Sequence, residues 1–423
     1  MNENFKKITD KIKIVLFILA MAIFFVIGLL FFLRPKTSET EKRTLTKFPE
    51  LSASEFLSGE WTANINLWYA DTYPLRESMI KANRKLESLY GIGSEMVYGS
   101  GVAEDIPEVG GDIVFIPTDD GKGDAIDGLY VNGDTAYELY YFVKQSSDNY
   151  VYLINSFAKQ MGNKVNIYNM LVPKHSQIGL SDETIEKFGA SDCEEAIEYM
   201  YGNMSDNITP IRIIPELAKH SNEYLYFRTD HHWTARGAYY AYVAFCKEKG
   251  ITPTALDAYQ SVKFSGFLGT LYSSPLNKKP EAMANNPDTV EAFIPIGTNT
   301  AEVYDANGKF AGEYAVVYKG AGKYSASDKY LCFIAGDQPL TKIHNDKIKD
   351  GSSIVVIKES YGNAFVPFLV DSYEHVYVID YRKWNGNLAS FVTENNIDDV
   401  LFLNVVGNSS SSNNISALRS IIE

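Results

Sequence analysis

Four short apolar runs, at residues 165–172, 353–357, 375–379 and 400–405, set the limits on how this chain folds. They are rich in Val, Ile and Leu at successive positions, the mark of strands buried on both faces. Residues 331–335 read as a further strand. Helical stretches separate the runs, at 146–161, 183–204 and 213–220, with a longer one ending near 249. Thr234 is placed to cap that last helix. Ala238, Ala241, Tyr242 and Phe245 form its buried stripe, and Gly250 ends it. Strands alternating with helices predict an α/β fold, a mainly parallel sheet flanked by helices. Residues 253–330 break the rhythm. Alternating stretches around Val290 and Val316, with Asn307-Gly308 as a hairpin turn, predict a small antiparallel β-rich insertion.

The N-terminus is of another kind. Residues 1–13 are polar and carry Lys6, Lys7, Lys11 and Lys13. Residues 14–33 then hold no charged side chain. At about 1.5 Å rise per residue, such a helix spans a bilayer core of about 30 Å. The run ends at Phe31-Phe32-Leu33-Arg34-Pro35, which lacks the small-residue cleavage site of a signal peptide. An uncleaved transmembrane signal anchor is expected, with residues 1–13 as a cytoplasmic tail and the acidic remainder outside. Residues 34–95 read as a membrane-proximal stalk with a helix over 75–90. The domain that carries the chemistry is expected at 96–423.

Composition narrows the partners. The formal net charge of −14 argues against a nucleic-acid partner, which needs a basic footprint. The 29 tyrosines suit a carbohydrate-facing surface and, equally, a Tyr-rich core. Cys193, Cys246 and Cys332 form no CxxC pair and read as buried small hydrophobes. Residues 119–124 are rich in Asp and Gly but lack the ligand spacing of a calcium loop, so they read as a solvated turn.

The stretch Arg228-Thr229-Asp230-His231-His232-Trp233-Thr234 holds two of the six histidines. Residues two apart in an extended segment face the same way, so Asp230 and His232 can serve one site while His231 points away. A carboxylate can hold an imidazole in one tautomer and stabilise its protonated form. The missing nucleophile has a candidate in Ser360, within Lys358-Glu359-Ser360-Tyr361-Gly362-Asn363. A serine at a strand-to-helix turn presents its hydroxyl at the carboxyl edge of the sheet, where α/β folds place ligands. The same serine reads as a plain helix cap. Asp230-His231-His232 also reads as a set of metal ligands, with His175 as a further one. That reading needs more Asp ligands at a strand end, and none is so placed.

Asp230-His231-His232-Trp233, with Thr229 before it and Thr234-Ala235-Arg236-Gly237-Ala238-Tyr239 after it, resembles the bacterial DHHW protein family. Residues 333–337, 356–369 and 378–382 resemble its later blocks, and the resemblance runs from about 38 to about 405. That family is similar to the alginate O-acetylation proteins AlgJ and AlgX, whose catalytic domains are SGNH-hydrolase-like. The resemblance implies an SGNH-hydrolase-like fold, no metal and no cofactor. It implies Ser360 as nucleophile, His232 as base and Asp230 as the group that orients it. The Ser360 amide and Gly336 are expected at the oxyanion, with Arg382 and Tyr361 as further oxyanion or substrate candidates. Arg382 reads alternatively as a salt bridge to Asp380. One departure is Glu359, where the family has Asp.

The activity implied is that of an extracytoplasmic O-acetyltransferase. It moves acetyl groups onto an exopolysaccharide or cell-wall polysaccharide through an acetyl-serine. The acetyl donor is expected from a membrane-bound O-acyltransferase partner, and the acceptor is the polysaccharide. A polysaccharide O-acetylesterase and a non-catalytic envelope polysaccharide-binding protein are the alternatives. A reporter fused after Glu423 of the full chain is expected to be active outside the cytoplasm, and a cytoplasmic reporter would remove the envelope reading.

Overall fold

The protein is described by a computed structural model that covers residues 128–273 and 281–423 throughout. Before them it covers 34–38, 43–49, 60–74, 95–98 and 103–110, with Gly28, Leu51 and Ile113. The run 14–33 apart from Gly28, the helix expected at 75–90 and the acidic turn at 119–124 lie outside the described residues. No helix among the described residues is long and apolar enough to cross a membrane. The chain divides into two units, Met1–Ile92 with Ser274–Lys278, and Gly93–Ser273 with Lys279–Glu423.

In the first unit β1 (Thr37–Ser38) pairs antiparallel with β2 (Arg43–Thr44), and α1 spans Glu60–Asp71. The Arg34 guanidinium lies over the rings of Trp68 and Tyr69 and donates to the Tyr69 carbonyl and the Thr72 hydroxyl.

The second unit opens with a small antiparallel sheet of β3 (Glu95–Tyr98), β4 (Leu129–Asn132) and β5 (Thr135–Glu138). There follow α2 (Lys144–Met161), β6 (Asn166–Val172), α3 (His175–Gly179), α4 (Asp182–Lys187), α5 (Cys193–Gly202), β7 (Ile208–Pro210), α6 (Ile214–Lys219) and α7 (Ala235–Lys249). The inserted region holds β8 (Gln260–Phe267), α8 (Thr270–Ser273), α9 (Glu281–Asn285), β9 (Asp288–Ile294), β10 (Thr300–Tyr304) and β11 (Phe310–Ala315). The chain closes with β12 (Leu340–His344), β13 (Ser353–Lys358), α10 (Gly362–Leu369), β14 (His375–Asp380), α11 (Leu388–Glu394), β15 (Asp399–Val405) and α12 (Ser412–Ile422).

Eight strands form one mixed sheet in the order β11-β10-β12-β14-β13-β15-β6-β7. The five from β14 to β7 are parallel, and β12, β10 and β11 extend that sheet antiparallel. The central strands are buried on both sides because each face has its own core. Ile354 and Val356 of β13, with Leu401 and Leu403 of β15, pack against α7 and α10. Val355 and Ile357, with Val400 and Phe402, pack against α2, α5, α11 and α12 on the other face. Successive strand residues point to opposite faces, so an unbroken apolar run is what this environment requires.

The structure departs from the sequence reading in three places. Residues 331–335 are not a strand. Lys329–Cys332 is a 3-10 turn, and Ile334 and Ala335 have positive φ, so the chain bends there and the next strand starts only at Leu340. The helix expected over 183–204 is two helices. Gly189 at φ +61° breaks it, and Asp192 starts α5 by accepting from the amides of Glu194 and Glu195. The insertion is not a separate sheet. β8 and β9 pair with each other, and β10 and β11 pair with each other and join the edge of the main sheet. Thr234 and Gly250 bound α7 as read. The Thr234 hydroxyl accepts from the Gly237 amide, and Gly250 is left-handed at φ +76°.

Phe402 is fully buried and meets Phe157 edge-on, with centroids 5.4 Å apart. Phe402→Ala is expected to destabilise the domain by about 3–5 kcal/mol, read as a lower denaturant midpoint at an unchanged m-value.

Candidate active site

The Asp-His-His-Trp stretch is a tight loop, not the extended segment read from spacing. An isolated bridge between Tyr226 and Trp233 closes it, with the Phe227 amide donating to the His232 carbonyl at 3.2 Å. Inside the loop the Asp230 carboxylate accepts from the His232 amide at 3.1 Å, an Asx-type turn. The same oxygen, Oδ1, faces His232 Nδ1 at 2.6 Å. A carboxylate can only accept, so the proton is on Nδ1 and Nε2 is left as an acceptor. Nε2 faces Ser360 Oγ at 2.7 Å. The structure therefore brings Asp230, His232 and Ser360 into one hydrogen-bonded run, although 128 residues separate the last two. His231 does not point away. Its ring lies against that of His232, with centroids 3.8 Å apart.

Residues from the insertion hold this arrangement, and none of them was picked out from the sequence. Asp230 Oδ2 accepts from the Thr270 amide at 2.8 Å and the Thr270 hydroxyl at 3.0 Å. A Cβ on Gly269 would lie 2.2 Å from the Asp230 Cβ, so only glycine allows this approach. The single hydroxyl proton of Thr270 goes to Asp230, so His231 donates to Thr270 Oγ1 from a protonated Nδ1. Asp288 anchors the start of the loop by accepting from the Thr229 amide at 2.8 Å, the Thr229 hydroxyl at 2.7 Å and Arg228 Nε at 3.0 Å. The Tyr330 ring stacks on His232 with centroids 4.0 Å apart, and its hydroxyl donates to the Ser360 carbonyl. Isolated Gly, Thr, Asp and Tyr residues carry no spacing signal, so only the fold reveals them.

Electrostatics fix the protonation states. Burial opposes ionisation of Asp230, yet the neighbouring His232 and His231 and the bonds from His232 and the Thr270 amide hold its carboxyl well below the usual range. Burial lowers the His231 imidazole, the adjacent His232 adds to the effect, and Asp230 opposes it. Burial pushes the Tyr330 phenol well up, which keeps it a donor.

Ser360 sits past the carboxyl end of β13. A Cβ on Gly362 would lie 2.6 Å from the Lys358 Cβ, so the glycine lets the chain turn back over the strand end. Glu359 is buried beneath the turn. It accepts from the Val405 amide and from the Tyr361 amide, each at 3.0 Å, and burial pushes its carboxyl up. Among the described residues the Ser360 amide has no acceptor within the chain, so it is the one N–H from the expected oxyanion set that is free.

The other expected contacts fall elsewhere. The Gly336 amide is bonded to the Phe333 carbonyl at 2.8 Å, in a turn where φ is +74°, because the strand expected before it does not form. The Tyr361 side chain is buried, and its hydroxyl donates to the His231 carbonyl, so it braces the loop and does not face a substrate. Arg382 forms the salt bridge. It donates to both oxygens of Asp380, at 2.9 and 2.6 Å, and to Asp337 at 2.9 Å. The same two carboxylates and Asn363 surround the buried Lys358 ammonium. Burial opposes ionisation of Asp337, but Lys358 and Arg382 hold its carboxyl well below the usual range.

Asp230, His231 and His232 offer ligand atoms close enough together for a metal ion. In this structure those of the triad are engaged with one another, with Ser360 and with Thr270, and an ion would have to break the Asp–His–Ser run. His175 does not join them. It is buried against Tyr226, with rings 5.0 Å apart and nearly parallel, and burial lowers its imidazole to about 4.

A buried Asp–His pair bonded to a serine at the carboxyl edge of a mixed sheet defines the class: an α/β protein with a serine-centred site. The chain belongs to the DHHW protein family, whose profile matches residues 41–114 and 106–379. It is similar to a DHHW family protein from Eubacterium siraeum, at 30% identity and a TM-score of 0.63 over 70% of this chain and 96% of that one. It shares its fold with Bacillus cereus PatB1, at 17% identity and a TM-score of 0.55 over 68% of this chain and 98% of that one. PatB1 has also been described with a sulfonyl adduct. The O-acetyltransferase domain of Pseudomonas putida AlgJ aligns over 66% of this chain and 90% of its own, at 12% identity. The TM-score of that alignment is 0.34. No curated protein matches the chain.

The depressed Asp230 carboxyl gives a signed pH dependence. An unfolded Asp takes up its proton near about pH 3.9. The folded carboxyl resists protonation, so its contribution to stability is present above that pH and is lost as pH falls below it. The stability gap between the wild type and Asp230→Asn is expected to shrink as pH is lowered from 5 to about 3, measured by urea unfolding at each pH. A gap that grows in acid would contradict the assignment.

Proposed function

We propose that the protein is an SGNH-hydrolase-like O-acyltransferase that works outside the cytoplasm, anchored by residues 14–33. It moves acetyl groups onto an exopolysaccharide or cell-wall polysaccharide. The observation that carries the chemistry is the hydrogen-bonded run from Asp230 through His232 to Ser360. The acetyl group, the polysaccharide and a membrane-bound O-acyltransferase as donor partner rest on the family resemblance set out from the sequence.

His232 Nε2 takes the Ser360 hydroxyl proton while Ser360 Oγ attacks the acetyl carbonyl of the donor. Asp230 stabilises the imidazolium that forms. The Ser360 amide faces the developing oxyanion, and the dipole of the α10 N-terminus adds to it. Collapse of the intermediate breaks the donor ester bond. The imidazolium returns the proton to the leaving group, and acetyl-Ser360 remains. A sugar hydroxyl then gives its proton to His232 and attacks the acetyl-serine, and Ser360 leaves with that proton. Water in place of the sugar makes the same site an esterase.

Since PatB1, a protein of this fold, carries a sulfonyl adduct, an aryl sulfonyl fluoride is a fitting probe. It is expected to label Ser360, found by peptide mass spectrometry. Ser360→Ala and His232→Ala are each expected to lose acyl transfer by about 10⁴-fold or more, and His231→Ala by much less. A chelator should leave turnover unchanged. Adding an oligosaccharide acceptor should speed release of the leaving group and yield acetylated sugar, whereas release unaffected by acceptor would make the protein an esterase. Activity that survives Ser360→Ala and is lost on chelation would overturn the acyl-serine mechanism.

A further inference from the structure

At the opposite edge of the sheet, His344 ends β12 and His375 begins β14, directly across from each other in antiparallel register. His375 also aligns with Ser353 at the start of β13. Seven residues of extended chain, roughly 20 Å, separate that level from Ser360. These are two of the six histidines, and the acyl chemistry uses neither. Their rings stack with centroids 4.7 Å apart, and the two Nδ1 atoms face each other at 3.3 Å. The far nitrogen of each ring stands beside a carboxylate. His344 Nε2 is 2.9 Å from Asp346 Oδ1, and His375 Nε2 is 3.7 Å from Glu374 Oε1.

That arrangement has a chemical consequence. The Asp346 carboxylate, at 2.9 Å, favours the Nε2–H tautomer of His344 and leaves its Nδ1 lone pair free. Without a cation, a His375 Nδ1–H donates to that lone pair across the 3.3 Å gap. A divalent cation that displaces that one proton takes both Nδ1 lone pairs instead. Zinc–nitrogen bonds of about 2.0–2.1 Å at a tetrahedral angle put the two nitrogens about 3.4 Å apart, which is the spacing present. The pair opens onto a cleft of about 460 Å³ lined also by Glu302, Glu313 and Asp346. Lys342, the only lysine or arginine in that lining, lies over the Tyr304 ring. A cleft with three carboxylates favours a cation and has room for the remaining ligands.

We propose that His344 and His375 form a divalent metal site of the zinc type, ligated through the two Nδ1 atoms. Asp346 supports the His344 ring from behind, and solvent or one of the two cleft glutamates completes the sphere. The ion clips β12 to β14 at the amino edge of the parallel strands. It takes no part in acyl transfer, so the site stands or falls independently of the proposed function.

Chelator-treated full-length protein is titrated with Zn²⁺ by calorimetry and equilibrium dialysis. Wild type and Ser360→Ala are expected to bind one zinc per chain, and His344→Ala and His375→Ala to lose it. Asp346→Asn, which leaves both ligands in place, should weaken binding by about tenfold or more. Zinc should raise the Tm of the wild type and not that of His344→Ala. Binding should weaken as pH falls, since an imidazole must be unprotonated to ligate. His375→Gln, close in size, guards against a variant that fails to fold, and its circular dichroism should match the wild type. No zinc uptake by the wild type, uptake unchanged by His344→Ala and His375→Gln, or uptake lost only with Asp230→Asn would each overturn the site.

Discussion

The Asp230 carboxylate is the fixed point of the structure around the site. It is buried and accepts four donors, the amide and ring of His232 and the amide and hydroxyl of Thr270. A carboxylate taken out of water is stable only when its lone pairs are met in this way. Two of those donors come from within the loop and two from the insertion, so neither segment has a satisfied polar core without the other. The imidazole then has no freedom of tautomer. Its Nδ1 proton is committed to Asp230, and Nε2 faces Ser360 as an acceptor. Stacking on Tyr330 fixes the plane of the ring, and the Tyr330 hydroxyl ties that support to the serine backbone.

The serine side is held by charges instead. Lys358, fully buried at the end of β13, lies among Asp337, Asp380 and Asn363, and Arg382 closes the group from β14. Two cations against two carboxylates leave the cluster without net charge. Removing one partner would strand an ion in the interior, at a cost of about 3–5 kcal/mol. The cluster lies directly under the turn that presents Ser360. Arg382, read from sequence as a weaker substrate or oxyanion candidate and alternatively as a salt bridge to Asp380, forms that salt bridge.

The sequence announces what repeats or alternates. The apolar runs are strands because large apolar residues at successive positions, as in 354–357 and 400–403, suit a sheet covered on both faces, and two separate cores cover it. Asp230, His232 and Ser360 were legible as a chemical set, but not as a geometry. The reason for the two-residue spacing is an Asx turn within a closed loop, which also brings His231 against His232. Gly336 was misplaced because residues 331–335 look like a strand by composition. Two consecutive positive φ angles at Ile334 and Ala335 override that composition. Gly269, Thr270, Asp288 and Tyr330 could not be read at all, since each acts through a contact distant in sequence. A stretch that breaks the α/β rhythm reads as an appendage, yet this one supplies the support of Asp230 and His232.

Glu359 shows how one methylene group is used. Its carboxylate bridges the serine turn to the neighbouring strand, accepting from the Tyr361 amide on one oxygen and the Val405 amide on the other. The Tyr361-bonded oxygen is 3.3 Å from Ser360 Oγ, farther than the 2.7 Å to His232 Nε2. The hydroxyl has one proton to give, and the shorter, better partner is the imidazole. An aspartate would bring the carboxylate back by about 1.5 Å, toward its own turn and away from β15. The glutamate instead reaches across to β15 and leaves the serine proton to His232. Burial raises its carboxyl, but two amide donors favour the ionised form. Glu359 thus ties the turn to β15 through its longer reach, and the Ser360 hydroxyl stays with His232.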